Sequence, residues 1–232
     1  MATTGGEDQQ PASERPKRQP ESYTWPLVAI VVAILPQILV PSRYRVGPPA
    51  IVPIIEIVAF LVMLGIAAKP GPVPRQARPT ILILFGLLIA ANTAAAARLV
   101  WLVLDGGQVD STPLTAARLL VAGVMVLIAN VITFGLLYWQ LDGGGPAGRV
   151  SEDPPYPDFL FPQTVSPQLS APGWRPSFPD HLYVAFTNVV AFSPTDADPL
   201  TPRAKGLMGL QAMISLGVLV VVLARVINIL PS

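Results

Sequence analysis

Five long apolar runs decide what this chain can become. They occupy residues 25–40, 49–68, 80–104, 113–141 and 204–230, and about 20 consecutive apolar residues is the length of helix that crosses a bilayer core. Lipid offers no water to hydrogen-bond exposed amides, so a run of this kind is stable there only as a helix. The composition agrees: 52% of the 232 residues are hydrophobic and 12% charged, with a mean hydropathy of +0.55, against about 25% charged in soluble domains. The expected fold is an all-α membrane protein, a bundle of five transmembrane helices plus a short re-entrant or interfacial helix before the last span. Tyr23, Trp25, Trp101, Tyr138 and Trp139 lie near the span ends, as interfacial aromatic belts do. For the fourth span, Ser111 or Thr112 suits an N-cap, Pro113 the first helical position, and Gly143-Gly144-Gly145 the stop.

Several function classes fall away. A net charge of +1 with scattered Lys and Arg leaves no basic stripe for nucleic acid. The absence of cysteine excludes disulfides and thiolate metal sites, and one histidine, His181, cannot build an imidazole cluster, so neither metal nor cofactor is expected. There is no Gly-rich phosphate loop, GxSxG elbow, HExxH helix or carboxylate pair on one helix face, and enzymatic activity is not expected. Membrane lipids are the certain partners of such a chain.

Outside the spans, residues 1–22 carry mixed charge without apolar periodicity and read as a disordered tail. The first apolar run ends in Pro-Gln-Ile-Leu-Val-Pro, not in a small-residue cleavage site, so it is read as a retained span and not a signal peptide. Residues 23–142 then hold four spans. Residues 143–179 contain nine prolines and cannot form helix or strand for long. They also hold Tyr156, Phe159, Leu160, Phe161, Trp174 and Phe178, which a solvated linker does not need, so the segment is expected to lie on the membrane surface or cap the bundle. Residues 180–232 open with Asp180, an acid suited to a helix start, and continue HLYVAFTNVVAF. That helix is too short to span. The polar stretch Ser193 to Pro199 must turn the chain back before the last apolar run, which is the layout of a pore loop.

The order of a short aromatic-rich helix with Thr187, then Val189-Val190-Ala191-Phe192-Ser193, then Asp196, Pro199-Leu200-Thr201 and Arg203 resembles the pore helix, filter and inner helix of two-helix potassium channels. That resemblance puts Ala191 and Ser193 where the family keeps filter glycines, Phe192 on the filter tyrosine and Asp196 near the closing aspartate. It implies a homo-oligomeric pore for small cations lined by Thr187, Asn188, Ala191, Phe192, Ser193, Thr195 and Asp196. With neither glycine present and Pro194 added, standard potassium selectivity is not expected. The motifs YWQLDGGGP, DFLFPQ and YVAFTNVVAFSPTDADPLTPRAKGLM are also similar to an uncharacterised family of bacterial multi-pass membrane proteins, which implies a bacterial inner-membrane location. The alternative function is a non-conducting scaffold or sensor whose loop and hairpin bind a partner.

Polar residues inside the spans are costly in lipid and face protein or water. Glu56 is either a cation or proton site or a structural partner of Arg98, Arg118 or Arg225, whose long stems can also snorkel to the headgroups. Asn92, Asn130, Gln211 and Ser215 read as interhelical hydrogen-bonding groups, Gln211 and Ser215 sharing one face. Gly206, Gly209 and the alanine run 94–97 read as close-packing surfaces. His181 reads as a local cap or surface group. Asp196 and Asp198 either bind a hydrated cation weakly or bond nearby amides in a turn.

Lys and Arg are denser in the N-terminal tail and at Lys69, Arg75 and Arg78 than at Arg43 and Arg45, which places the N-terminus in the cytoplasm. Five spans then put Ser232 outside, and a reporter fused after Ser232 is expected to be active only in its extracytoplasmic form. Cytoplasmic activity would overturn the span count or the orientation.

Overall fold

A computed structural model describes residues 21–39, 51–68, 77–105, 108–109, 112–113, 115–151, 153–191, 193 and 197–229. Eight helices follow one another among them: α1 (Thr24–Leu39), α2 (Ile51–Ala67), α3 (Ala77–Leu104), α4 (Ala116–Leu141), α5 (Gly145–Arg149), α6 (Pro162–Val165), α7 (Phe178–Val190) and α8 (Pro202–Ile229). Two short antiparallel pairings join them, β1 (Gln108–Val109) with β2 (Thr112–Pro113) and β3 (Phe159–Leu160) with β4 (Asp198–Pro199). The chain is therefore helical. Three helices, within α3, α4 and α8, are long and apolar enough to cross a membrane. With 16 and 17 residues, α1 and α2 are apolar but shorter, rising only about 25 Å. The five-span count therefore stands as three helices of spanning length and two shorter ones.

The bundle is organised around α4, which packs against α1, α3, α7 and α8. Every residue from Ile132 to Gln140 is buried, so its last turns are covered on all sides. The helix begins at Ala116 rather than Pro113, because Thr112 and Pro113 pair with β1 and Thr115 supplies the cap, its Oγ1 accepting the Arg118 N–H at 3.2 Å. It ends in a 3₁₀ turn at Asp142–Gly144, where Gly143, Gly144 and Gly145 all take positive φ. A Cβ at Gly145 would stand 2.8 Å from the Gln140 carbonyl oxygen, so the turn is closed to other residues.

Helix α7 starts two residues earlier than Asp180. Pro179 occupies its first turn, and the Asp180 carboxylate accepts the Ser177 N–H at 2.7 Å and the Ser177 hydroxyl at 2.6 Å. It runs antiparallel to α4, with Phe178 beside Trp139 and Leu182 against Gly135. After Val190 the chain returns far enough for Asp198 to pair with Leu160 and Pro199 with Phe159. The Phe159 ring lies 6.0 Å from that of His181 in the first turns of α7, so the return ends level with the start of α7. From there α8 leaves in the same direction as α7, Asn188 meeting Met208 and Gln211.

Close packing falls on different glycines from those the sequence indicated. Around Gly206 and Gly209 there is open space, whereas a Cβ at Gly123 would lie 3.2 Å from Val222 and one at Gly135 would lie 3.1 Å from the Leu182 Cα. Gly135→Val therefore forces α7 away from α4 and is expected to destabilise the protein by about 1–3 kcal/mol. Gly206→Ala should leave the thermal midpoint unchanged, and circular dichroism melts of the purified protein compare the two.

Candidate functional site

The glycine turn after α4 aims the Asp142 carboxylate inward, where it has no exposure to solvent. Its Oδ1 accepts the backbone N–H groups of Asp158 at 2.7 Å and Phe159 at 3.1 Å, and its Oδ2 lies 3.1 Å from His181 Nε2. The other ring nitrogen, Nδ1, is 2.7 Å from the Ser177 carbonyl. A carbonyl only accepts, so Nδ1 carries a hydrogen. One further proton must then lie between Nε2 and Oδ2, on the ring or on the carboxyl group.

Arg149, the last residue of α5, closes the opposite side. Its Nη1 donates to the carbonyls of Trp139 at 2.9 Å and Asp142 at 2.7 Å, which are carbonyls that the end of α4 leaves open. Its Nε and Nη2 grip the Glu21 carboxylate at 2.8 and 2.9 Å, and Glu21 also accepts the Trp139 indole N–H at 2.6 Å. The tail expected to be disordered through residue 22 thus contributes Glu21 to the fold, and residues 1–20 lie outside the described residues. Burial pushes the Tyr23 phenol up to about 12, the Glu21 charge adding to the shift, so this ring packs against Trp139 as a neutral group.

Asp158 extends the network. Its buried carboxylate takes hydrogen bonds from Thr201 Oγ1 at 2.6 Å and from Nε and Nη2 of Arg203, while its carbonyl accepts the Leu200 N–H at 2.8 Å. Arg203 holds the carboxylate in the two-pronged geometry that suits a guanidinium. Around these charges stand rings: Phe161 lies 5.4 Å from His181 and 6.0 Å from Trp174, and Phe159 lies 5.1 Å from Tyr138. The Pro-rich loop is therefore a folded cap on this end of the bundle, with Phe159, Phe161 and Phe178 buried and Tyr156 left 93% exposed. Between loop and bundle lies a cavity of about 510 Å³, floored by Asp142, Gly143 and Arg149 and walled by Gln163, Trp174, Arg175 and several prolines.

Of the pore residues expected from the sequence, four lie among the described residues. Thr187 and Asn188 are buried within the bundle: Thr187 Oγ1 donates to the Val184 carbonyl at 3.1 Å, and Asn188 Nδ2 donates to Gln211 Oε1 and the Met208 carbonyl, each at 2.9 Å. Ala191 and Ser193 are exposed, and Phe192, Thr195 and Asp196 lie outside the described residues. Three of the intramembrane polar residues do meet. Gln211 accepts the Tyr138 hydroxyl at 2.7 Å and donates to the Ala185 carbonyl at 3.0 Å, while Ser215 accepts from Asn130 at 3.3 Å and donates to the Gln211 carbonyl at 2.8 Å. Asn92 on α3 is buried, and its Nδ2 has no hydrogen-bond partner among the described residues. Glu56 is buried on α2, which packs against α1 and α3, and Arg225 lies half-buried near the far end of α8.

Sequence reasoning missed Glu21, Asp142, Arg149 and Asp158, and it read His181, which is fully buried, as a cap or surface group. The one signal was an acid at the end of an apolar span, directly before three glycines.

Removing the Asp142 carboxylate leaves the Asp158 and Phe159 amides and His181 without their partner and takes away the negative charge 3.9 Å from Arg149 Nη1. Asp142→Ala is expected to cost about 3–5 kcal/mol, read as a lower thermal midpoint and faster proteolysis of residues 153–176. Asp142→Asn, which retains an acceptor for the two amides, should cost less, and Asp153→Asn, at an exposed position, should cost nothing.

Comparison of the chain with protein families, with curated proteins and with solved structures found no match.

Proposed function

We propose that this is a multi-pass integral membrane protein of the bacterial inner membrane that does not conduct ions and serves as a sensor or scaffold, its folded loop and hairpin forming the binding end. The burial of Thr187 and Asn188 carries this reading. The Thr187 hydroxyl donates to Val184 and the Asn188 amide nitrogen to Met208 and Gln211 of the same chain, so these donors are not directed at an aqueous path. The same end of the molecule holds an open cavity lined by both polar and apolar groups, the usual form of a small-ligand site. In this reading α1 and α2 also insert, completing five spans, with the cap on the cytoplasmic face.

A second reading, an oligomeric pore, draws support from one observation. Helix α7, the return to β4 and the parallel departure of α8 follow the order of a pore helix, filter strand and inner helix. One chain supplies a single hairpin, so a pore would need symmetric copies around an axis.

Liposome flux separates the two. Protein that melts cooperatively after reconstitution should pass potassium or thallium no faster than protein-free vesicles, and a flux abolished by substitution at Asp196 would establish the pore instead. Single cysteines add a second measure in this cysteine-free chain. Thr187→Cys should resist a charged thiol reagent until the protein unfolds, while Ser193→Cys should react at once.

A further inference from the structure

The charges on the cavity floor are already matched. Asp142 has its three partners, and Arg149 spends four of its five N–H groups on Glu21 and the carbonyls of Trp139 and Asp142. The wall is different. Arg175 donates only one hydrogen bond, from Nη1 to the Arg149 carbonyl at 3.3 Å, and among the described residues no carboxylate lies within ion-pair distance of it. That bond holds the guanidinium at the cavity and leaves the rest of its fork without a partner among the described residues. Beside it, the Trp174 indole N–H has no hydrogen-bond partner among the described residues, its ring being held edge-on to Phe161. Gln163, which also lines the cavity, has its Oε1 buried without a partner among the described residues, a polar atom that costs free energy until something bonds to it. The rest of the wall is largely proline, with fixed φ and no N–H groups, so the site is shaped in advance and offers its donors from few places.

We propose that the cavity between the Pro-rich loop and the end of α4 binds an oxyanion group, the carboxylate or phosphate of a small molecule or of a lipid headgroup, with Arg175 as its receiving cation. The guanidinium presents paired N–H donors that match two oxygens of a carboxylate or phosphate. Trp174 adds a donor and an apolar face, and the free Gln163 carbonyl selects a ligand that also carries a hydroxyl or amide N–H. The proline rings pack against the ligand's apolar part. This inference rests on the reading of the cap as the binding end of the molecule.

The emission of Trp174 provides the readout, identified by its loss in Trp174→Phe because the chain has four tryptophans. In detergent, inorganic phosphate and acetate are titrated separately against chloride at matched ionic strength. In a second arm, nanodiscs of phosphatidylglycerol are compared with nanodiscs of phosphatidylcholine. The expected result is a saturable change in one arm, weakened at least about tenfold in Arg175→Gln, as loss of a charge-assisted pair implies. Arg175→Lys, which keeps the charge but not the fork, should fall between. A response to the soluble anions assigns a small-molecule source, and a response only to phosphatidylglycerol assigns a headgroup.

The proposal is overturned if neither arm gives a saturable Trp174 signal. It is equally overturned if Arg175→Gln, or Arg175→Lys should the glutamine variant not fold, binds as the parent does. Ion flux together with intact Trp174 titration would refute the non-conducting reading and leave the site standing. No flux and no titration would do the reverse.

Discussion

A carboxylate shut away from water must be matched by donors on every side, and at Asp142 that requirement organises one whole end of the molecule. Three left-handed glycines turn it inward, and the first strand residue of the loop is placed by its need for the two adjacent amides. A second buried acid, Asp158, is tied to the first through its backbone and to the start of α8 through Arg203. His181 draws α7 to the same point, and Arg149 brings in the segment before α1 through Glu21. A loop with nine prolines has little regular hydrogen bonding of its own to offer. Its order comes from these charges and from the rings packed around them.

A second set of polar contacts joins the apolar helices. Gln211 joins α4, α7 and α8 through Tyr138, Asn188 and Ala185, and interactions of this type are worth about 0.6 kcal/mol each in lipid. Their value lies in register more than in strength, because each bond is satisfied at only one axial position of the helices. Helix α7 is thus pinned at two heights, at His181 and, about 10 Å further along, at Asn188. An element fixed at both places is a wall rather than a gate.

The apolar runs made the helices legible, since 20-residue runs have few alternatives in lipid, and the boundaries of α3 and α8 fell within three residues of those read from the sequence. The start of α4 was misread because Pro113 suits a helix's first turn and a strand's end equally well, and only the pairing with Gln108 decides. Gln211 and Ser215 were recognisable because helical spacing is local. The junction was not. Glu21 and Arg149 are 128 residues apart, and nothing in the tail's composition distinguishes Glu21 from the acids around it. The surroundings of Asn188 were not legible either: a polar residue on a short helix looks the same in sequence whether it faces water or a neighbouring glutamine.

The separation of those partners also bears on how the protein is made. Synthesis delivers Glu21 first, then Asp142 at the exit of α4, but His181 comes 39 residues later and Arg203 lies 45 residues beyond Asp158. Asp142 lacks one of its three partners until His181 has been made, and Asp158 lacks Thr201 and Arg203 until the start of α8 has followed. The network that holds the cap is therefore complete only once the last helix has begun. A chain truncated before Thr201 would carry all the aromatic residues of the cap and still leave the Asp158 carboxylate without the groups that permit its burial.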